Sequence, residues 1–142
     1  TKEMMENATV LSCHEARSGY FENDGKGKFT FHPFPMMAQL APVNAIACGD
    51  INGDGFTDVI IAGNEYQANV MPGRYDASYG LLLTGDGKGN FNAVPPVKSG
   101  LILDGDVKDL KMITVDKKRI LLAAINDAEM KSFAIKQTDR PR

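Results

Sequence analysis

The sequence Asn-Asp-Gly-Lys-Gly-Lys-Phe at positions 23–29 returns as Gly-Asp-Gly-Lys-Gly-Asn-Phe at positions 85–91. Five of the seven residues are identical, and the two stretches stand sixty-two positions apart, from 23 to 85. β-prone residues flank both copies, and the glycines can adopt the positive φ that tight hairpin turns require. The repeat therefore predicts two β-hairpins of one kind.

Two further matches extend this repeat. Val-Ile-Ile-Ala-Gly-Asn at 59–64 corresponds to Leu-Leu-Ala-Ala-Ile-Asn at 121–126, again sixty-two positions later. Gly49-Asp50 has a counterpart in Gly105-Asp106, fifty-six positions later. Three matches in the same order indicate two equivalent units that differ in loop length. We place the first unit at 18–79 and the second at 80–142, within a single segment, 1–142.

Each unit reads as short strands separated by Gly, Asp and Asn turns. Only residues 1–7 show any helical tendency, enough for a turn or two. Four-stranded units repeated along a chain are typical of the blades of a β-propeller. We therefore expect an all-β fold of about two four-stranded antiparallel blades, part of a larger propeller. The predicted strands are 20–21, 28–31, 44–49, 59–62, 81–84, 90–92, 107–115, 119–125 and 130–135.

Composition excludes several classes of protein. The chain has 142 residues and a mass of 15.4 kDa, which is the size of one domain. Sixteen Lys and Arg against eighteen Asp and Glu give a net charge of −2, without the dense basic face of a nucleic-acid-binding protein. The longest apolar runs fall far short of the ~20 residues that span a bilayer. The first four residues, Thr-Lys-Glu-Met, contain no apolar stretch, so no signal peptide is predicted there.

The loop at 50–58, Asp-Ile-Asn-Gly-Asp-Gly-Phe-Thr-Asp, has oxygen-bearing residues at relative positions 1, 3, 5 and 9. Ca²⁺ takes six to eight oxygen ligands, and a backbone carbonyl at position 7 is a common one. The loop is not an EF-hand, because Ile61 stands where the closing Glu would be and the flanks read as strands. The alternative is a metal-free Asp/Gly turn. The predicted ligands are Asp50, Asn52, Asp54, Phe56 through its carbonyl, and Asp58.

This loop, the apolar strand at 59–62 and the hairpin turn at 85–91 together resemble FG-GAP/VCBS repeats. Such repeats are the blades of integrin-type β-propellers, many of them in bacterial surface and secreted proteins. The end of the chain resembles the carboxy-terminal blades of VCBS proteins common in Bacteroidetes. The resemblance implies a Ca²⁺ that braces a blade loop, a binding, adhesion or scaffolding role, and an extracellular, cell-surface or periplasmic location.

Two departures from the family qualify this resemblance. The second unit has Gly-Asp-Val-Lys-Asp-Leu at 105–110 where the calcium loop is expected, and Lys108 takes the place of an oxygen ligand. We therefore expect no calcium in the second unit. Two units also cannot close a ring of four to eight blades. The expected partners are further blades of the same polypeptide or other copies of the chain.

The stretch 64–79 interrupts the first unit with a longer loop than compact domains usually have. Long ordered loops on rigid sheets often carry recognition, here of a protein or a glycan. The alternative is a loop that docks against the neighbouring blade. The candidate ligand-binding residues are Tyr66, Arg74, Tyr75 and Asp76, with Asn69 and Tyr79 beside them.

The remaining candidates have ordinary structural interpretations. Neither His14 nor His32 lies in a nucleophile motif, so the chain is not expected to be an enzyme. The alternative function is a non-catalytic or partial segment of a polysaccharide-active propeller enzyme. Cys48, in an apolar stretch, is expected to be a buried free thiol, with a disulfide bridge to Cys13 as the alternative. The segment 117–119 is expected to be a solvated hairpin tip. Four phenylalanines are predicted to pack between units, with an aromatic platform for a sugar as the alternative: Phe29, Phe31, Phe34 and Phe91.

Overall fold

The computed structural model describes residues 8, 9, 11–68 and 73–136. Nine strands occur in these residues, with one 3₁₀ turn at Met36–Gln39 and one short helix, α1 at Pro96–Ser99. The all-β class is confirmed, and every predicted strand is present; the helical turn predicted at 1–7 lies outside the described residues. The strands are β1 (Gly19–Asn23), β2 (Phe29–Pro33), β3 (Val43–Gly49), β4 (Asp58–Gly63), β5 (Leu81–Gly85), β6 (Phe91–Val94), β7 (Val107–Val115), β8 (Lys118–Ile125) and β9 (Lys131–Ile135).

The strands form three antiparallel sheets: a hairpin β1–β2, a four-stranded sheet β3–β4–β5–β6 and a three-stranded sheet β7–β8–β9. Neighbours in each sheet are consecutive in the chain, so short turns suffice to connect most of them. Within the described residues, no helix has the length and apolar character needed to cross a bilayer.

The predicted hairpin turns have the same geometry in both copies. In the first, Asp24 Oδ1 accepts hydrogen bonds from the backbone N–H groups of Lys26 and Lys28. In the second, Asp86 Oδ1 accepts them from the N–H groups two and four residues further on. The glycines at 25, 27, 87 and 89 all have φ between 71° and 89°. These turns require glycine because other residues rarely adopt such φ.

The first strand pair also repeats, including one irregularity. In β3–β4, Val43 lies opposite Gly63 and Ala45 opposite Ala62, so one residue of β3 bulges out. In β7–β8, the register shifts in the same way between positions 107 and 109. The structure thus relates β3 to β7 and β4 to β8. A bulge repeated at the same place indicates two sheets built on one plan.

This pairing corrects one alignment made from the sequence. Gly49 is the last residue of β3 and Asp50 follows it, whereas Gly105-Asp106 precedes β7, so the two dipeptides are not equivalent. The counterpart of the calcium loop is the tight turn between β7 and β8, where Asp116 and Lys117 have φ of 48° and 64°. The absence of calcium from the second unit stays a prediction, and it now rests on the shortness of that turn.

The apolar core lies in two layers, one on each face of the four-stranded sheet. One layer packs that sheet against β7–β9, with Ala45 and Ala47 of β3 in the same cluster as Val107 and Leu110 of β7. The other packs it against the β1–β2 hairpin and the residues that follow it. Every residue of β4 is consequently buried, whereas β8 is only partly buried because one of its faces has no sheet against it in the described part of the chain.

The aromatic residues divide between these layers and the surface. Phe34 and Phe91 meet edge to face, with ring centres 5.3 Å apart, and Tyr20 packs against both. The expectation that these two phenylalanines pack between units is confirmed. Phe29 is 60% exposed, so the same expectation is wrong for it, since it lies on the outer face of the hairpin.

Candidate functional site

The predicted calcium loop, 50–58, runs from the end of β3 to the first residue of β4 and is wound around the side chain of Asp50. Asp50 Oδ1 accepts a hydrogen bond from Gly53 N at 2.7 Å, and its Oδ2 accepts one from Gly55 N at 2.9 Å. Gly53 and Gly55 have φ of 84° and 92°, so glycine is needed at both positions. The two glycines identified in the sequence therefore allow the chain to fold back over the first carboxylate.

Asn52 and Asp54 make the next two turns of the same loop. Asn52 Oδ1 accepts from Asp54 N, and Asp54 Oδ1 accepts from Phe56 N, each at 2.8 Å. The side chains also meet, with Asn52 Nδ2 donating to Asp54 Oδ2 at 2.8 Å. Side-chain-to-backbone bonds two residues apart are the usual way in which Asp and Asn build turns. The loop therefore brings two predicted ligands into contact.

Asp58 has a different environment, because it is completely buried at the start of β4. Its Oδ2 accepts hydrogen bonds from Ile51 N and Asn52 N, at 2.8 and 3.1 Å. Its Oδ1 accepts a third from Gly85 N, at 3.0 Å, on the neighbouring strand β5. A buried carboxylate is tolerated when hydrogen-bond donors surround it. Asp58 thus joins the start of the loop to β5, a structural role that spacing alone did not indicate.

The loop is also joined to the three-stranded sheet. The guanidinium of Arg119, on β8, donates to the carbonyl oxygen of Asp50 and lies 3.5 Å from Met112 Sδ. A Cβ on Gly49 would lie 2.7 Å from the terminal carbon of Met112, so a larger residue there would displace the end of the Met112 side chain. The expectation of a solvated tip at 117–119 is therefore wrong for Arg119, which is partly buried against the loop.

Phe56 contributes a carbonyl to the predicted ligand set, and its side chain has a separate role. The ring is 46% exposed and covers Gly87 in the β5–β6 turn, where a side chain would overlap it. On one side of this contact lies a cavity of about 560 Å³, which Tyr20, Phe56 and Phe91 line together with Cys48.

Cys48 is exposed, so the prediction of a buried thiol is wrong.

The donor atoms of the loop suit calcium by their chemical type. Three carboxylates, one amide oxygen and a backbone carbonyl are hard oxygen ligands, which Ca²⁺ prefers. Within the described residues, no three His, Cys, Asp or Glu side chains are grouped so that they could hold a metal by themselves. The carboxylates of Asp50, Asp54 and Asp58 are therefore not gathered around one point, and they accept hydrogen bonds from backbone N–H groups of the loop and of β5. Calcium binding at 50–58 therefore stays a prediction.

The candidate ligand-binding loop closes on itself near its base. Glu65 and Tyr75 exchange two backbone hydrogen bonds, at 2.9 and 3.0 Å. The Arg74 guanidinium lies over the ring of Tyr66, 4.8 Å from its centre. Asp76 is exposed, and Asn69 lies outside the described residues. The structure therefore brings Tyr66, Arg74 and Tyr75 together.

Asn64 anchors this loop to both sheets and was not identified from the sequence as a functional residue. It is 1% exposed with φ of 92°, a conformation that Asn adopts more readily than most residues. Its Nδ2 donates to Ser78 O and to Gly105 O, both at 2.9 Å, and its Oδ1 accepts from Ser78 N. One buried amide thus closes the loop and fixes its base against the segment before β7.

An ion pair completes this junction. Lys108 Nζ lies 2.8 Å from Asp106 Oδ1 and 3.8 Å from Glu65 Oε2, and Asp106 is fully buried. The adjacent Asp106 carboxylate, towards which the Lys108 ammonium points, raises the pKa of Lys108. The interpretation of Lys108 as a replacement for a metal ligand is therefore wrong, because it neutralises a buried carboxylate at the contact with loop 64–79.

Comparisons of the chain with protein-family models, with curated proteins and with solved structures find no match. The function is accordingly inferred from the residues and from their geometry.

Proposed function

We propose that this chain is a segment of an FG-GAP/VCBS-type β-propeller that calcium braces. In this proposal it serves as a binding, adhesion or scaffolding module of a secreted, cell-surface or periplasmic protein. The observation that carries the proposal is the repeated strand pair with its repeated bulge, β3–β4 and β7–β8. Repetition of one sheet plan along a chain is the defining feature of propeller blades.

The stacking of the sheets supports the same architecture. β3 and β7, the first strands of their sheets, pack against each other through small and medium side chains such as Ala45, Ala47 and Leu110. In a propeller, the first strands of successive blades pack in this way around the axis. The hairpin β1–β2 corresponds to β5–β6, the last two strands of a unit. The order of elements is then the end of one blade, a complete blade, and most of a third.

Calcium would act as a brace in this arrangement. It would be held by Asp50, Asn52, Asp54, Asp58 and the carbonyl of Phe56. The ion would offset the repulsion among three carboxylates in a nine-residue loop. The loop is already joined to β5 and to β8, so a rigid loop would strengthen the contact between neighbouring sheets.

The proposed binding surface is the loop at 64–79. Tyr66, Tyr75 and Asp76 are at least partly accessible, and Arg74 lies against the first of them. Tyr and Arg are enriched at the centres of interaction surfaces because they combine apolar area with hydrogen-bonding groups. A protein or glycan ligand suits this composition. The junction at Asn64 would hold the loop in place for such contacts.

Calorimetric titration with CaCl₂ tests the metal. We expect one Ca²⁺ per chain, with a dissociation constant on the order of 10⁻⁴–10⁻³ M, as in extracellular modules. Asp54→Ala should abolish binding, whereas Asp76→Ala, an exposed acidic position outside the loop, should leave it unchanged. Calcium at ten times the dissociation constant should stabilise the fold by about 1.4 kcal/mol through mass action. Absence of calcium uptake by the folded chain would contradict the metal site.

Sedimentation tests the architecture independently. The apolar outer faces of the end sheets are expected to need cover from further blades. We expect the isolated chain to associate, because association covers these faces. A compact, calcium-saturated monomer with cooperative unfolding would contradict the propeller segment.

A further inference from the structure

The three-stranded sheet is one strand shorter than the four-stranded sheet on the side of β9. Leu121 of β8 lies opposite Phe133 of β9, as Val59 of β4 lies opposite Leu83 of β5. β9 is thus the equivalent of β5. In the four-stranded sheet β6 covers the far edge of β5, whereas the far edge of β9 has no strand beside it in the described residues.

This difference is visible in the burial of the two equivalent strands. In β5, Leu81 and Leu83 are buried. In β9 no residue is buried, and Phe133 and Ile135, which point towards the core, are only partly covered. β9 therefore carries apolar side chains, Phe133 and Ile135, that are typical of an inner strand, although it lies at the edge of its sheet.

An apolar groove runs beside this edge, between β9 on one side and β5 and α1 on the other. It encloses about 690 Å³, and its floor includes Leu82, Leu101 and Phe133. Val97 of α1 stands at its rim and is 96% exposed. Lys98 and Lys136 also line the groove, and no Asp or Glu does so among the described residues.

We propose that this groove is a docking site for one extended strand of another polypeptide, which pairs antiparallel with β9. The partner segment has a small apolar residue opposite Phe133, an aromatic residue opposite Ile135 and an acidic residue near the two lysines. This inference rests on the proposed repeat architecture and not on calcium. Addition of a strand to a free edge combines backbone hydrogen bonds with side-chain pockets on alternate positions.

The expected side chains follow from the complete sheet. There Ala93 of β6 lies opposite Leu83, the equivalent of Phe133, and Phe91 lies opposite Gly85, the equivalent of Ile135. Phe91 fills the space between the sheet and the preceding hairpin, with its ring 5.3 Å from that of Phe34. An aromatic residue of the docked strand, placed opposite Ile135, would enter the groove in the same way.

Side-chain size favours this partner over a second copy of the chain. Antiparallel pairing of β9 with β9 of another copy, centred on Phe133, would place two phenylalanines opposite each other, whereas the complete sheet has the small Ala93 opposite Leu83. Because Lys98 and Lys136 line the groove, a segment with an acidic residue at that end would also pair with them.

The probe is a synthetic peptide with the sequence of residues 86–95 of this chain, Asp-Gly-Lys-Gly-Asn-Phe-Asn-Ala-Val-Pro. It is titrated into the ¹⁵N-labelled chain. It is also fused to the carboxyl end through a Gly/Ser linker, which supplies an effective concentration on the order of millimolar. We expect amide shifts and slower hydrogen exchange across 131–135. The control peptide carries Pro in place of Asn92, whose backbone faces the paired strand in the complete sheet, and this change removes a strand hydrogen bond.

A substitution at the rim identifies the groove. Val97→Asp should weaken peptide binding about tenfold, because an apolar contact is replaced by a charge. Its side chain is 96% exposed, so the fold should be unaffected. Val115→Asp, at an exposed position at the end of β7 and outside the groove, should bind as the unchanged chain does.

Three results would overturn the proposal. Shifts confined to β1, β2 or β6 would place the peptide on another edge, and absence of shifts in the fused chain would exclude docking. A dimer that Val97→Asp dissociates would assign the groove to a second copy. Because every titration is run in both EDTA and calcium, loss of strand docking with intact calcium uptake would refute this site alone.

Discussion

Replacement of Asp58 by Asn should destabilise the chain even in the absence of metal. The substitution keeps the shape of the side chain and removes its charge and one acceptor. Asp58 is completely buried, and its two oxygens accept three backbone hydrogen bonds. Asn has a single carbonyl oxygen. In its better orientation it keeps the bonds from Ile51 and Asn52, and it turns its NH₂ group towards the N–H of Gly85.

The expected cost follows from these contacts. One buried N–H without an acceptor costs about 1–3 kcal/mol. The two remaining bonds lose the assistance of the negative charge, which makes such bonds roughly twice as strong as neutral ones. We therefore expect Asp58→Asn to lower the free energy of unfolding by about 2–4 kcal/mol, on the order of 10 °C in melting temperature for a chain of this size.

Urea and thermal unfolding in EDTA measure this effect without a contribution from calcium. Asp54→Asn is the matched control, since it removes the same charge from the same loop at an exposed position. Its stability should lie within about 0.5 kcal/mol of the unchanged chain. If Asp58→Asn were as stable as Asp54→Asn, Asp58 would not brace the loop, and its burial would have no energetic consequence.

Three further predictions concern other contacts. Gly63→Ala should lower the free energy of unfolding in urea by about 3 kcal/mol, because the new Cβ would overlap the carbonyl oxygen of Pro42. Gly73→Ala is the control: no atom lies near its Cβ position, so only its φ of 73° opposes the substitution, and the loss should be about 1 kcal/mol. The pKa of Lys108 is raised above its ordinary 10.5, so its stabilising contribution is complete below that pH and is lost as pH rises through the folded pKa. Lys108→Met should therefore lower stability at neutral pH and flatten the alkaline decrease in melting temperature, and an unchanged alkaline profile would contradict the pairing. Cys48 should react with a thiol reagent in the folded chain without denaturant, and protection of this thiol would contradict its exposure.

The strands were predictable because Asp-Gly and Gly-rich segments mark the turns between them in the sequence. Asp and Gly residues at 24–27 and 86–89 occur where only a tight turn with positive φ is compatible with them. Between such turns, short apolar and β-branched runs have no alternative but strands. Local signals of this kind act over a few residues, so they are readable without knowledge of the rest of the fold.

The prediction of burial failed where it depended on the face of a strand. The run Ala45–Cys48 is apolar throughout, yet the alanines face the neighbouring sheet while Ile46 is 54% exposed and Cys48 is exposed. Alternation in a strand decides which side chains face outwards, and an unbroken apolar run conceals it.

Alignment of the repeat failed for a related reason. The match of Gly49-Asp50 with Gly105-Asp106 rested on two residues and was not constrained by the strands around them. Register between strands shows the correct equivalence, since the bulge after Val43 returns after Val107.

By itself, the sequence determined the strands, the two hairpin turns and the oxygen-rich loop at 50–58, because each depends on residues that are close along the chain. Only the tertiary structure decided what those elements contact. Arg119 lies sixty-nine positions from the Asp50 carbonyl that it binds, and Asn64 binds Gly105 across forty-one positions. Such contacts depend on how three sheets stack. Stacking is set by the burial of whole faces rather than by any local pattern.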